Sequence, residues 1–227
     1  MPKLCIISGS GLSASAGLST FRGPDGLWRN HDPMTLATPE AWQRDRHLVT
    51  EFYNERRAKA WQAEPTAAHR AIARLEEGFE TTIVTQNVDS LHERAGSSRV
   101  LHLHGELDRV RDTADPNQRK DLHGAAVDPD EQTPGGGYWR PNVVWFGETI
   151  HHYDEALDAV ASADRLIVVG TSLTVQPAAS MMLYAADQAE KVVVNAEPLD
   201  LPEGFRFIQT PADEALPALA KQWLGHV

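Results

Sequence analysis

The chain has 227 residues, enough for one sizeable core and a smaller attached module. Its 32 Asp and Glu outweigh 21 Lys and Arg, and the formal charge of −11 argues against broad binding to nucleic acid or to anionic membranes. With 41% hydrophobic residues the composition argues against disorder, and the single cysteine, Cys5, excludes an internal disulfide and a zinc site built on several thiolates.

In chain order, Lys3–Ser8 is a short β-rich run. It is too short for the apolar stretch of a signal peptide, no segment has the length of a membrane-spanning helix, and a cytoplasmic location is expected. The run leads into Gly9-Ser10-Gly11-Leu12-Ser13-Ala14, a G-x-G-x-x-A pattern. The first glycine suits a tight turn, the second lets a pyrophosphate approach the backbone, and the small third residue lets helix pack on strand. A ligand-free strand-to-helix turn has the same spacing, so the motif alone leaves both readings open. An ordinary dehydrogenase would place its second strand next. Here Phe21 to Trp28 is instead a turn-rich stretch with an aromatic at each end, and it reads as a flap over a cofactor.

Residues 31–65 read as a helical insert, with the best helix at Asp45–Trp61 and Leu48, Val49, Phe52 and Ala60 on or near one face. A helix follows at Thr66–Glu77, then a β-rich run at Thr81–Thr85 ending in Gln86-Asn87-Val88-Asp89. Residues 106–139 hold many Asp, three prolines and Gly135-Gly136-Gly137, a composition that predicts a loose excursion rather than a core element. Helices are expected at Tyr153–Ala163 and Pro177–Ala189. Strands are expected at Arg165–Val169, before Gly170-Thr171-Ser172, and at Lys191–Val194, before Asn195-Ala196-Glu197.

Runs of Val, Ile and Leu without alternation point to strands buried on both faces. With helices between them they imply an α/β fold, a Rossmann-like parallel sheet flanked by helices. The expected division is 1–30, 78–105 and 140–227 for the dinucleotide-binding part, 31–77 for the helical insert and 106–139 for a reduced module. The two inserts together would form a smaller domain, and the crevice beside the sheet is the natural ligand site. Ligands in open α/β sheets sit beyond the carboxyl ends of the strands, where Gln86, Asn87, Asp89, Gly170, Thr171, Ser172 and Glu197 all fall. Any one of them could merely cap a helix; together they favour a dinucleotide crevice.

The ordered motifs GSGLSASAGLSTFRGPDGLW, TQNVDSLHERAG, HLHGEL, RPNVVWFGE, GTSLTVQPAA and VNAEP closely resemble the sirtuin family of NAD-dependent protein-lysine deacylases. The resemblance runs from near residue 5 to near residue 212. It implies NAD as co-substrate and acylated-lysine proteins or peptides as partners. The implied products are nicotinamide, free lysine and O-acyl-ADP-ribose. By motif, Gly9, Ser10, Gly11 and Ser13, with Phe21 and Arg22, match the loop around the pyrophosphate and nicotinamide ribose. Gln86, Asn87, Val88 and Asp89 match the nicotinamide and ribose pocket. Gly170, Thr171 and Ser172 match the phosphate and adenosine side, Asn195 and Glu197 the adenosine ribose, and Ala212 falls near an adenine-contacting position. Val143, Val144, Trp145 and Phe146 match the edge segment that pairs with substrate peptide.

His104, in His-Gly-Glu-Leu, matches the catalytic histidine, with Asn87 and Asp89 beside it in the catalytic set. In the implied reaction the acyl oxygen attacks the anomeric carbon as nicotinamide leaves, and a ribose hydroxyl then resolves the alkylimidate. That second step needs a base, and histidine titrates near neutrality. His102, two residues earlier on a β-like run, should face the other way and serve structure. Trp28, Trp42 and Trp61 read as packing residues.

Tyr53 and Arg56 stand at i and i+3 on a helix and share a face. A guanidinium can grip a carboxylate through two hydrogen bonds and a phenol can add a third. The pair resembles the Tyr-x-x-Arg signature of sirtuins that accept malonyl, succinyl or glutaryl lysine. A surface Arg beside a packed Tyr would give the same spacing, and deacetylation is expected alongside. The family's zinc module uses four cysteines between the His-Gly and Val-Val-Trp-Phe-Gly motifs, and this chain has none there. Asp112 stands at the first cysteine position, so no zinc is expected. The competing functions are ADP-ribosyl transfer, NAD hydrolysis and a non-catalytic NAD-sensing module. The chain is read as a monomer.

Overall fold

The computed structural model describes residues 1–20, 32–176 and 178–225. β1 (Lys3–Ser8) is buried from Leu4 onward. It runs into two 3-10 turns, at Ser10–Leu12 and Ala14–Ala16. The first insert holds α1 (Pro33–Leu36), α2 (Pro39–Arg44) and α3 (Arg46–Gln62). Their starts follow from local chemistry. Asp32, Thr38 and Asp45 each accept a backbone N–H two or three residues on, and Pro33 and Pro39 open the first two helices, where no N–H is needed.

α4 (Ala67–Arg74), capped by Thr66, leads through a 3-10 turn to β2 (Glu80–Thr85). Then come α5 (Leu91–Arg94), β3 (Val100–His102), β4 (Gly105–Asp112), β5 (Arg119–Asp121) and β6 (Trp139–Val143). The chain ends with α6 (Tyr153–Ala161), β7 (Arg165–Val169), β8 (Glu190–Asn195), β9 (Arg206–Gln209) and α7 (Ala212–Leu224).

Six strands form one parallel sheet in the order β3-β2-β1-β7-β8-β9. This is the Rossmann order, and its topological switch point lies between β1 and β7. Leu4 and Ile6 of β1 face a core shared with Ile72 of α4 and Leu216 and Trp223 of α7. Cys5 and Ile7 face the opposite core, with Val160 of α6 and Met181. Both faces are covered, which is why the strand shows no alternation. Burial pushes the Cys5 thiol up to about 12, so it is packing material rather than a nucleophile.

Several sequence expectations need correction. Residues 106–139 are not a loose excursion: β4, β5 and β6 form an antiparallel sheet in the order β5-β4-β6, with Val110, Leu122, Val127 and Trp139 clustered on it. Pairing between distant short segments carries no local signature, so polar composition concealed it. Pro177–Ala189 is not a regular helix; Ala178–Tyr184 is a 3-10 segment. On α3, Leu48 is exposed, while Val49 and Tyr53 carry the buried face and Phe52 and Ala60 pack against it at the edge. β3 answers to the β-like run expected before His104, whereas β9 has no counterpart in the sequence reading; it is a short edge strand with little apolar length to betray it. Among the described residues no helix is long and apolar enough to cross a membrane.

Candidate functional site

The Gly9 and Gly170 loops meet at the switch point. Gly9 N donates to Val169 O at 3.0 Å and Gly11 N to Gly170 O at 2.8 Å. A Cβ on Gly9 would lie 2.7 Å from Gly170 O, and one on Gly11 would lie 2.9 Å from it. Both glycines are therefore required by the contact between the loops. The crevice they open is what a pyrophosphate needs: bare backbone at strand ends.

Beside it lies a cavity of about 110 Å³ lined by Ser10, Ser13, Arg56, Lys59, Asn87, Val88, Asp89 and Leu107, among others. A chain of hydrogen bonds sets its polar wall. Asn87 Nδ2 donates to Ser13 Oγ at 3.1 Å, and Ser13 Oγ donates to Asp89 Oδ2 at 3.0 Å. The Leu91 N–H holds the other Asp89 oxygen, and the Asn87 N–H rests on Thr85 Oγ1. Asn87 Oδ1 is buried without a partner, an acceptor held ready for a ligand donor such as a carboxamide. Burial raises the Asp89 carboxyl above its usual range, against the two hydrogen bonds from Leu91 and Ser13.

His104 follows β3 and is half-buried. Its Nδ1 lies 3.0 Å from Gln86 O. A carbonyl only accepts, so Nδ1 carries the proton and Nε2 keeps its lone pair. Burial lowers the His104 pKa, against the hydrogen bond to Gln86, and the ring stays neutral at neutral pH. It is not itself a wall of the Ser13–Asp89 cavity; Gln86 ties it to the Gly170 loop, its carbonyl holding His104 and its side chain accepting from Thr171 Oγ1 at 3.3 Å. His102 does face away, buried between Asn87 O and Glu93.

The start of β4, directly after His104, pairs with the end of β6, and the contact continues one residue further. Gly105 stands opposite Val143, and Val144 N donates to His104 O. Trp145 is fixed three ways. Its backbone N–H donates to Glu148, the Arg140 guanidinium lies 3.5 Å over its indole, and its Nε1 donates to Tyr53 Oη at 3.0 Å. Phe146 stays exposed, its N–H tied to Ala37 O.

Tyr53 and Arg56 therefore differ in place. Tyr53 is fully buried against Trp145, whereas Arg56 lines the cavity with Asn87 and Asp89. Burial lowers the Arg56 pKa and the nearby Tyr53 and Asp89 raise it, but a guanidinium remains charged. Ser172 is exposed beside Thr174, and Asn195 and Glu197 sit at the end of β8 with Ala212 opening α7, all away from this cavity. Phe21 and Arg22 lie outside the described residues. Sequence reasoning missed Lys59 and Leu107. Lys59 is one turn beyond Arg56, so its spacing was a usable signal; Leu107 arrives only through β4.

The resemblance also implies zinc, and the residues do not fit it. The Asp112 carboxylate is buried near Gly135 and Gly137. His123 is exposed, packed on Trp61. Among the described residues no group of three or more His, Cys, Asp or Glu could hold a metal.

A profile of the Sir2 family matches residues 9–177. A Helicobacter pylori protein named NAD-dependent protein deacylase is 43% identical over 222 residues, 95% of each chain. A solved complex of a Sir2 homolog with NAD is 37% identical, covers 99% of this chain and 90% of its own, and superposes with a TM-score of 0.88. A Sir2 protein with a deacetylated peptide and 3′-O-acetyl-ADP-ribose is 25% identical, covers 99% and 93%, and has a TM-score of 0.84.

Proposed function

The chain belongs to the Sir2 family, and from that premise we propose that it removes acyl groups from protein lysine at the expense of NAD, releasing nicotinamide, free lysine and O-acyl-ADP-ribose. The observation that carries the reading is His104, neutral and with its Nε2 lone pair free because Gln86 O holds Nδ1. Such a group takes a proton from a ribose hydroxyl, which is the task the second half of the reaction sets. It does not expel nicotinamide; it acts afterwards.

Asn87, Ser13 and Asp89 orient the nicotinamide and its ribose, through the buried Asn87 carbonyl and the fixed Asp89 carboxyl. Gly9, Ser10, Gly11, Gly170 and Thr171 cradle the pyrophosphate at the switch point, and the family resemblance assigns Phe21 and Arg22 to the same ligand. Ser172, Asn195, Glu197 and Ala212 hold the adenosine end. Val143 and Val144 pair with substrate backbone as an added strand, a mode that yields affinity with little sequence selectivity. Trp145 and Phe146 wall the lysine stem.

The acyl group is read as succinyl or malonyl as well as acetyl, with Arg56 gripping the distal carboxylate. Tyr53 contributes by holding Arg56 in place, its ring 5.6 Å from the guanidinium carbon, and by the hydroxyl proton left over once Oη has accepted from Trp145. The small sheet is read as metal-free. Incubation with NAD and an acetyl- or succinyl-lysine peptide, followed by mass analysis, tests the assignment. O-acyl-ADP-ribose is the expected product; ADP-ribosylated protein or free ADP-ribose alone would make the chain a transferase or NAD hydrolase. No nicotinamide release would make it a binding module.

A further inference from the structure

β4 and β6 carry the segments on either side of the site, and Asp112 and Trp139 are the last pair between them. Beyond that pair the chain turns at 115–118 and at 133–136, in the stretch where the family resemblance would place zinc ligands. Asp112 is fully buried there. Its Oδ1 accepts from Ala114 N at 2.9 Å, and Oδ2 has no hydrogen-bond partner. Instead the two carboxylate oxygens fill the space beside Gly135 and Gly137, so closely that a Cβ on either glycine would overlap one of them. Gly136, between them, has φ +82°, a left-handed turn that favours glycine.

Each member of the triple glycine thus has a separate reason: two admit the carboxylate and one makes the turn. Hydroxyls finish the closure. Tyr138 N donates to Thr113 Oγ1 at 2.8 Å while Thr113 N donates to Tyr138 O, and Gly137 N donates to Thr133 Oγ1 at 3.0 Å. Thr133 is itself buried.

We propose that Asp112, seated on Gly135 and Gly137 and flanked by Thr113 and Thr133, is a metal-independent lock that closes the small antiparallel sheet. It replaces the fastening that a structural metal provides by a carboxylate-on-glycine contact. The lock keeps β4 and β6 in register, and so keeps His104 O on Val144 N. The inference extends the metal-free reading and does not depend on the deacylase assignment.

The lock makes an unusual coupling prediction. Gly135→Ala should be costly in the native chain, because the Asp112 carboxylate is the one group its methyl would overlap. In an Asp112→Ala background the same change should cost far less, because the obstruction is gone; Gly137 is unsuited to this test, since Thr113 Oγ1 and the Ala114 backbone N would still crowd a Cβ there. The measurement is amide hydrogen exchange over 132–139 in the two single variants and the double variant, with Tm alongside. Each single variant should exchange at least about tenfold faster there than the native chain, and the double variant no faster than Asp112→Ala alone. Should Asp112→Ala fail to fold, Asp112→Ser, which also removes both carboxylate oxygens, supplies the same comparison.

Elemental analysis of the native protein should give no stoichiometric zinc, and a chelator should leave both Tm and exchange unchanged. Additive effects of the two substitutions, or one zinc per chain whose removal loosens 132–139, would overturn the lock. Neither result would touch the deacylase reading, which stands or falls on its products.

Discussion

Arg56→Met separates acyl-carboxylate recognition from the rest of the reaction. Met keeps an apolar stem against the Phe52 and Tyr53 rings, which lie 5.5 and 5.6 Å from the guanidinium carbon, so little packing is lost. What disappears is the positive charge facing the cavity with Asn87 and Asp89. Two charge-assisted hydrogen bonds to a succinyl carboxylate in a half-buried site, with that carboxylate left unpaired by the change, amount to about 3 kcal/mol. At roughly 1.4 kcal/mol per tenfold, kcat/KM for a succinyl-lysine peptide should fall about 100-fold. Asp89 also loses a neighbouring cation, but that cost falls equally on every substrate. An acetyl peptide of the same sequence has no carboxylate to lose, and its differential loss should stay within about threefold. Steady-state kinetics on the two peptides, with nicotinamide release as the signal, gives the ratio directly. Equal losses on both peptides would refute the assignment of Arg56 to the acyl carboxylate and return it to a structural role.

Three further outcomes follow from the geometry. His104→Ala should lower deacylation by about 10²–10⁴-fold while NAD affinity by calorimetry changes little, since the histidine acts after nicotinamide departs; a parallel loss of NAD binding would contradict that order. Gly170 sits at φ +62°, and a Cβ there would overlap Leu12 N. Gly170→Ala should therefore cost at least about 2 kcal/mol, roughly 4–8 °C in Tm, and weaken NAD binding with it; an unchanged Tm would show that the two loops can separate freely.

The third concerns acid. Burial brings the His69 pKa down to about 4 and depresses that of neighbouring His92 as well. Both groups take up protons on unfolding below about pH 6.5, so their contribution is intact above that pH and is lost as pH falls toward 4. His69 alone accounts for roughly 3 kcal/mol of that loss. At His102 burial lowers the pKa, but the Glu93 carboxylate at 2.7 Å outweighs it and raises the value, which offsets part of the effect. Urea denaturation at pH 7.5 and pH 5 should show the drop, and His69→Gln should flatten it. Stability that rises on acidification would contradict the sign.

The sequence alone determined the frame of this protein. Unbroken apolar runs at Lys3–Ser8 and Arg165–Val169 required strands covered on both faces, and glycines at their ends required backbone contacts too close for a side chain. Those are local constraints, written in residue type and spacing. Only the tertiary structure decided the rest. It showed that Tyr53 is buried against Trp145 while Arg56 reaches the cavity, although both share one helical face. It showed that the Gln86 carbonyl sets the tautomer of His104. And it turned Gly135-Gly136-Gly137 from apparent slack into the seat of a carboxylate more than twenty residues away. Each of these depends on pairing between distant segments, whose partners a linear pattern does not specify.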